Sequence, residues 1–488
     1  MRHVVAAGMF WMILNVILGK GASFAAQIAL GWMLSKGDFG LYAIAISFSG
    51  LLMVFRDGGA RQILAQRHAD YPAIRGPVFW MCVAFNAATA LALLAVTPIA
   101  VRIYGQKALY PLLSVIAAAV VVSPPSTLYL AKLSADLRFR KATQISVIST
   151  LLRHATTILF AACGLGPLSF VLPLPLVALY EGLAGFAATR DKPWQASPQF
   201  AMWAPLFASA KWIIAGGLAS LLIVSGDCLA IGWVKTGEIV GVYFFAYHLA
   251  VQIHIVLAGN LQSVLLPALA RFQGQPARQG AAMLKSLDAI AIFTFPVTMW
   301  LALCAQPIER LIWHGRWAAA VPVVQILCIA LSYRSITAAV KSLLESQGAY
   351  RTYFYIGMLD GLANVLAGLL GSLAGDLQAI AIAIAIYSAV SSLGQGWFAA
   401  WRLGFSFTAL IKGHVIPWML ALVAALAAFA FARYIFPPLH PALDVLVRSA
   451  VFALVYVPLL CLVLRGLLRE MLAILPSRRT SETLTGAS

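Results

Sequence analysis

Apolar runs of about twenty residues follow one another along almost the whole chain, and this recurrence restricts the fold more than any single motif. Windows bounded by charges, Pro or Gly fall at 9–34, 39–55, 78–99, 110–130, 144–163, 168–188, 206–234, 239–266, 286–305, 320–344, 354–374, 379–400, 413–432 and 446–465. Each can carry a helix across a hydrocarbon core of ~30 Å. The expected fold is an all-α membrane protein of about 14 transmembrane helices, with 12 as the alternative, the division at Gly164 to Pro167 and the last pair being the least distinct. Composition points the same way: 62% of the 488 residues are hydrophobic and 10% charged, against roughly 25% charged in a soluble domain. The longest gap between windows is about twenty residues, so no soluble domain is inserted.

The net charge of +18 would suggest nucleic acid in a soluble protein, but no zinc finger or nucleic-acid module accompanies it. Placement of the cations carries the information instead. Twenty-one loop or terminal Lys and Arg lie on the side of the N-terminus, among them Arg56, Arg61, Arg75, Lys132 and Arg190, and eight lie on the other. By the positive-inside rule both termini are cytoplasmic and the number of spans is even. The start MRHVVAAGMFWMILNVILG is read as a retained first span, because its apolar run is too long for a signal peptide and lacks a small-residue cleavage site. Residues 467–488 read as a basic, disordered cytoplasmic tail. The six cysteines sit mostly in apolar runs without a C-x-x-C pair and are expected to be free thiols.

An internal echo organises the chain. KGDFGLYAIA (Lys36 to Ala45) and TGEIVGVYFFAY (Thr236 to Tyr247) each place a short acidic, Gly-containing turn between two spans, with G-x-Y opening the second. Each second span ends in a basic stretch. Two six-helix lobes in the same orientation would give this pattern, covering 1–200 and 201–405, with an extra helix pair over 406–466.

Several chemistries find no residues to support them. No G-x-x-x-x-G-K-[ST] loop, G-x-S-x-G elbow or H-E-x-x-H is present. His248 and His254 are six apart and face different sides of a helix. No metal, no cofactor and no enzymatic activity are expected.

Charged residues inside the spans are the informative ones, since a Lys at a helix centre costs roughly 2.5–3.5 kcal/mol on insertion scales. Lys20 has nothing acidic within reach along its own helix, and Ser23, Gln27 and Gly31 follow at +3, +7 and +11 on the same face. That polar, small-residue face suits protein or water. Arg153 and Glu181 lie at similar distances from the Gly164–Pro167 turn, so an antiparallel pair brings them to similar depth, either as a salt bridge or as transport residues. Arg334, Lys341 and Glu345 share a face, and only Arg334 is too deep to snorkel. Asp227 is well inside its span and aligns with Gln27 through the echo, while Asp360 lies about one and a half turns into its own. The expected anion contacts are Lys20, Gln27, Arg153, Arg334 and Lys341. Asp227, Glu181 and Asp360 are the expected coupling or charge-partner carboxylates. Cations in a low-dielectric cavity attract anions, which predicts a negatively charged substrate.

ILGKGASFAAQIALGWMLSKGDFGLYAIAISFSGLLMVFRDGGARQILAQR resembles the Wzx-type oligosaccharide flippases and polysaccharide transporters, through GDFGLY and the RDGGARQ that ends the second span. SGDCLAIGWVKTGEIVGVYFFAYHLA looks like the start of the second half. The resemblance implies a two-lobed fold of the multidrug/oligosaccharidyl-lipid/polysaccharide superfamily in the bacterial inner membrane. It implies a flippase that moves an undecaprenyl-diphosphate-linked oligosaccharide for exopolysaccharide, capsule or O-antigen synthesis by alternating access. The implied partners are that polyprenyl diphosphate, membrane lipids and other polysaccharide assembly proteins, with no nucleic acid. A cation-coupled multidrug exporter and a membrane polysaccharide polymerase or ligase are the alternatives; the short external loops weigh against the last.

Overall fold

A computed structural model of the chain describes residues 19–67, 70–435 and 440–465, all helix or connecting turn. The start of the first window with Arg2, and the basic tail over 467–488, lie outside the described residues. The helices, in chain order, are α1 (19–33), α2 (Lys36–Met53), α3 (Ala60–Gln66), α4 (Tyr71–Tyr104), α5 (Leu109–Val122), α6 (Pro124–Ala135), α7 (Phe139–Ala162), α8 (Leu168–Val171), α9 (Pro173–Thr189), α10 (Trp203–Val234), α11 (Gly237–Arg271), α12 (Pro276–Trp313), α13 (Val321–Leu331), α14 (Arg334–Ser346), α15 (Tyr350–Ala374), α16 (Leu377–Leu403), α17 (Phe407–Tyr434) and α18 (Pro441–Val463).

The protein is a multi-pass membrane protein. Among the described residues nine helices are long and apolar enough to cross a membrane, or up to eleven if two bent pairs each count as one span. The bent pairs are α5–α6, turned by 50°, and α13–α14, turned by 43°. They occupy the fourth and tenth windows of the sequence, the same place in each six-window half. Large apolar side chains such as Leu359, Trp401 and Leu454 are more than 70% exposed, as a surface facing lipid tails requires.

By packing, the chain divides into two compact units, residues 1–245 with 350–380 and residues 246–349 with 381–488. In the first unit, α2 starts from a capping box. The Ser35 hydroxyl accepts from the Asp38 amide at 3.1 Å, and the Asp38 carboxylate accepts from the Ser35 amide at 2.9 Å. Asp38 of the acidic turn is therefore a helix cap. Here α2 crosses the start of α11 through two glycines. A Cβ added at Gly40 would stand 1.8 Å from the Gly237 carbonyl oxygen, and one added at Gly241 would stand 1.8 Å from that of Lys36. Each contact joins a glycine to the residue four positions before the other glycine, so exchanging the two helices maps one contact onto the other. The glycines of the two echoed G-x-Y turns thus meet in a local two-fold arrangement that only a missing side chain permits. Phe39 packs edge-on against Phe170 at 5.2 Å and Phe245 at 5.6 Å beside it.

A second close approach joins α10 to α15. Gly357, Gly361 and Gly368 lie along one stripe of α15, and a Cβ at Gly361 would meet Leu222 Cβ at 2.5 Å. Asn364, on the same stripe, donates to the Leu222 and Ile223 carbonyls at 3.1 and 3.3 Å. Small residues let the backbones approach, and the amide ties them.

In the second unit, α12, α17 and α18 enclose a core of Ala291, Phe295, Met299, Ala421, Ala424, Phe452 and neighbours. Small alanines on α17 face the large side chains of α12, so the two helices interdigitate.

Candidate functional site

Each bent pair is pinned at its bend to the long helix that precedes it. At the first bend, the Ser123 hydroxyl donates to Asn86 Oδ1 on α4 at 3.0 Å, and the Asn86 amide donates to the Cys82 carbonyl at 2.8 Å. Pro124 and Pro125 follow, so the backbone donors that would continue the helix are missing. At the second bend, Ser332 Oγ lies 2.7 Å from Thr298 Oγ1 on α12. Ser332 also donates back to the Cys328 carbonyl at 2.8 Å, a bond that bends helices without proline. Breaks at matching positions of two halves are where transporters of repeated fold place their binding groups.

Arg334 begins α14 directly after the second bend, and its Nη1 donates to the Tyr247 hydroxyl at 3.0 Å. A planar guanidinium with five N–H donors suits a phosphate or carboxylate better than a point charge does. Just past the mid-point of α14, Lys341 lies 3.9 Å from Glu345 in an i,i+4 pair with both side chains about a third exposed.

Asp227 is 1% exposed. Its carboxylate accepts from the Tyr243 hydroxyl at 2.6 Å and from the Cys228 amide at 2.8 Å. Asp360 is also buried, on the α15 helix that packs against α10. On α1, Lys20 is half-buried. One turn on, Ser23 donates to the Gly19 carbonyl at 2.8 Å and meets His154 Nε2 of α7 at 3.0 Å. Gln27 continues this face, and its buried Nε2 meets no hydrogen-bond partner among the described residues. The polar stripe therefore faces protein at Ser23.

No ion pair joins Arg153 and Glu181. Arg153 is exposed on α7 beside His154, and the charge of Glu181 acts on Arg56 instead. Burial pulls the Arg56 pKa below its ordinary value, Arg61 adds to that, and Asp57 and Glu181 oppose it. Matching depth in the sequence does not fix which way two helices turn their faces. The RDGGARQ stretch that holds Arg56 is a tight turn: Asp57 accepts from the Gly59 amide at 3.0 Å, and Gly58 and Gly59 have φ of +55° and +81°.

A further carboxylate, Asp191, escaped the reading of the sequence. It accepts from Arg75 Nη1 at 2.9 Å, from Lys132 Nζ at 2.8 Å and from the Tyr71 hydroxyl, while its carbonyl accepts from the Tyr129 hydroxyl at 2.8 Å. One acid thus ties the ends of α4 and α6 to the segment after α9. Burial alone would raise its pKa, but the bonds from Lys132 and Tyr71 and the charges of Lys132 and Arg75 hold it below the ordinary carboxylate value. Beside this knot, Trp80, Trp194, Phe200 and Trp203 line an open cleft of about 590 Å³. The Trp80 and Trp203 indoles donate to the Ala196 and Pro198 carbonyls at 3.2 and 2.8 Å. No group of three or more His, Cys, Asp or Glu that could hold a metal occurs among the described residues.

Comparison with known proteins gives these features a family context. A family model described as polysaccharide biosynthesis protein matches residues 29–322. The succinoglycan biosynthesis transport protein ExoT of Rhizobium meliloti is 23% identical over 485 residues, covering 98% of this chain and 97% of that one. The lipopolysaccharide biosynthesis protein WzxC of Escherichia coli is 21% identical over 356 residues, 71% of each chain. Among solved structures, lipid II flippase MurJ in an inward closed conformation superposes with a TM-score of 0.72 at 13% identity, covering 95% of this chain and 100% of that one. An inward-facing multidrug resistance MATE family transporter gives 0.63 at 13% identity, covering 83% and 99%. At such identities these structures establish the fold alone.

Proposed function

The chain belongs to the polysaccharide biosynthesis protein family, and from that premise we propose that it is a flippase for a polyprenyl-diphosphate-linked oligosaccharide. It carries the repeat unit across the bacterial inner membrane for exopolysaccharide, capsule or O-antigen assembly. No bond of the substrate is made or broken. The two six-helix halves alternate access to a central site, and both termini lie in the cytoplasm.

The observation that supports this reading best is Arg334, a guanidinium at the bend of α13–α14, at the position where the first half also breaks its helix. A diphosphate needs a forked donor within the membrane, and an intramembrane Arg is costly enough to be retained for such a purpose. Lys20, Gln27, Arg153 and Lys341 are the further proposed anion contacts. Asp227, Asp360 and Glu181 are proposed as charge partners that hold the cations between substrates or couple transport to an ion. The named role of ExoT in succinoglycan transport supports this class of cargo.

The test is complementation of a strain lacking this gene, with surface polysaccharide and cytoplasm-facing lipid-linked oligosaccharide measured together. Arg334→Ala is expected to cut polysaccharide at least about tenfold, a loss of about 1.4 kcal/mol or more, while the lipid-linked precursor accumulates inside. Wild-type output from Arg334→Ala at normal expression sinks the site assignment, and normal output from the deletion itself sinks the flippase reading.

A further inference from the structure

On α12 and α17, which pack together, four buried polar atoms meet no hydrogen-bond partner among the described residues. They are Asp288 Oδ1 and Thr294 Oγ1 on α12, and His414 Nε2 and Trp418 Nε1 on α17. Leaving such atoms unsatisfied costs about 1–3 kcal/mol each, so folded proteins keep few and seldom gather them. The seam is built to admit Asp288: a Cβ at Gly413 would stand 1.9 Å from its Oδ1, so any side chain there would expel the carboxylate. Directly after Gly413, His414 is 1% exposed and packs edge-on against Phe295 of α12 at 6.0 Å.

The protonation of His414 follows from its neighbour. Its Nδ1 lies 3.0 Å from the Leu410 carbonyl oxygen, which can only accept, so Nδ1 carries the hydrogen and Nε2 presents a lone pair. The seam therefore holds two acceptors, Asp288 Oδ1 and His414 Nε2, that the unpaired Trp418 indole N–H does not reach, and a proton is what this pair lacks.

The cations that could compensate Asp288 are engaged or turned away. Lys285 and Lys412, at neighbouring turns of the same two helices, are exposed and form no ion pair with it. On α18, Arg448 pairs with Asp444 at 2.6 Å and donates to the Leu303 carbonyl, while Tyr456 donates to the Ile292 carbonyl at 2.9 Å. On the α13–α14 side, Tyr333 meets Phe295 ring to ring at 5.2 Å, Lys341 pairs with Glu345, and Arg334 donates to Tyr247. Glu309, far along α12, accepts from the Trp317 amide at 2.8 Å.

We propose that Asp288 and His414 form a proton-binding site in the α12–α17 seam, with Asp288 the half-buried entry and His414 the enclosed end. A metal cation fits the pair poorly, since a hard cation asks for a shell of oxygens and this seam supplies one carboxylate and a nitrogen. The inference deepens the flippase reading and rests on it for its purpose: the proton would be the coupling ion, held between α12 of the second half and α17 of the extra helix pair.

The experiment is infrared difference spectroscopy on the full-length protein in lipid nanodiscs, stepped between neutral and acidic pH. The expected result is a carboxylic-acid carbonyl band that appears on acidification, vanishes in Asp288→Asn and survives in Asp360→Asn. In His414→Gln its midpoint is expected to move by at least about half a pH unit. Three results overturn the proposal: a band unchanged in Asp288→Asn, a midpoint unmoved in His414→Gln, or a band abolished by sodium at constant pH. If the band follows Asp288 while polysaccharide output ignores Arg334, the proton site stands and the flippase assignment of Arg334 falls. The reverse pattern removes the proton site alone.

Discussion

The two bent pairs reach the same geometry by different chemistry. In α5–α6 the break is made by Pro124 and Pro125 and pinned by an amide, Asn86. In α13–α14 no proline stands at the break, and back-bonding from Ser332 with a hydroxyl pin from Thr298 bends the chain. The first bend is electrically neutral, whereas the second is followed at once by Arg334. A duplicated backbone therefore carries an unduplicated charge. The bend is common to both halves, and the guanidinium belongs to the second alone.

The comparison can be broken first at its shared part. Gly40→Val and Gly241→Val each drive a side chain into a carbonyl of the opposite helix, so each is expected to cost about 3 kcal/mol or more and to remove folded protein from a size-exclusion profile. Unequal outcomes would show that the crossing is symmetric in shape but not in energy. At the unshared part, Arg334→Ala should lower polysaccharide output at least about tenfold, and Ser123→Ala at the neutral bend should leave it within about twofold. Equal losses would erase the distinction between the bends. Smaller effects are expected at the pins: Asn86→Ala and Thr298→Ala should each lower stability by about 1 kcal/mol, read as a drop in thermal midpoint, with output from both largely kept.

The smallest effect concerns Asp191. Its folded pKa is depressed, so its contribution is fully present above the unfolded carboxylate value and disappears as pH falls through the folded one. The thermal midpoint of the wild type should therefore decline on acidification below about pH 4 more steeply than that of Asp191→Asn. Parallel curves would show that the knot does not govern acid stability.

How much of this was readable from the chain depended on whether the signal was local. The helical character, the multiple spans and the echoed G-x-Y turns are periodicities, visible residue by residue. The bend at Ser123 carried a visible Pro-Pro, yet lay inside one apolar window; the bend at Ser332 carried no breaker at all, because a hydroxyl facing its own carbonyl leaves no mark in composition. Arg334 stood out through its depth, and Asp227 likewise, although its partner Tyr243 belonged to the next span. Arg153 and Glu181 were matched by depth and failed to meet, since depth leaves the rotation of each helix undetermined. Asp191 was hidden between Arg190 and Lys192, and its true partners stand 116 and 59 residues away.

Those partners carry a consequence for how the chain is assembled. Arg75 and Lys132 are among the cations whose side of the membrane predicts the orientation of the spans. In the finished fold both are occupied by Asp191. A residue can thus act twice in succession, first as an orienting signal while the nascent helices enter the bilayer, then as a fastener once they have packed. Substituting either cation would report on both stages at once, and only neutralising Asp191, which leaves the orienting cations in place, separates insertion from fastening.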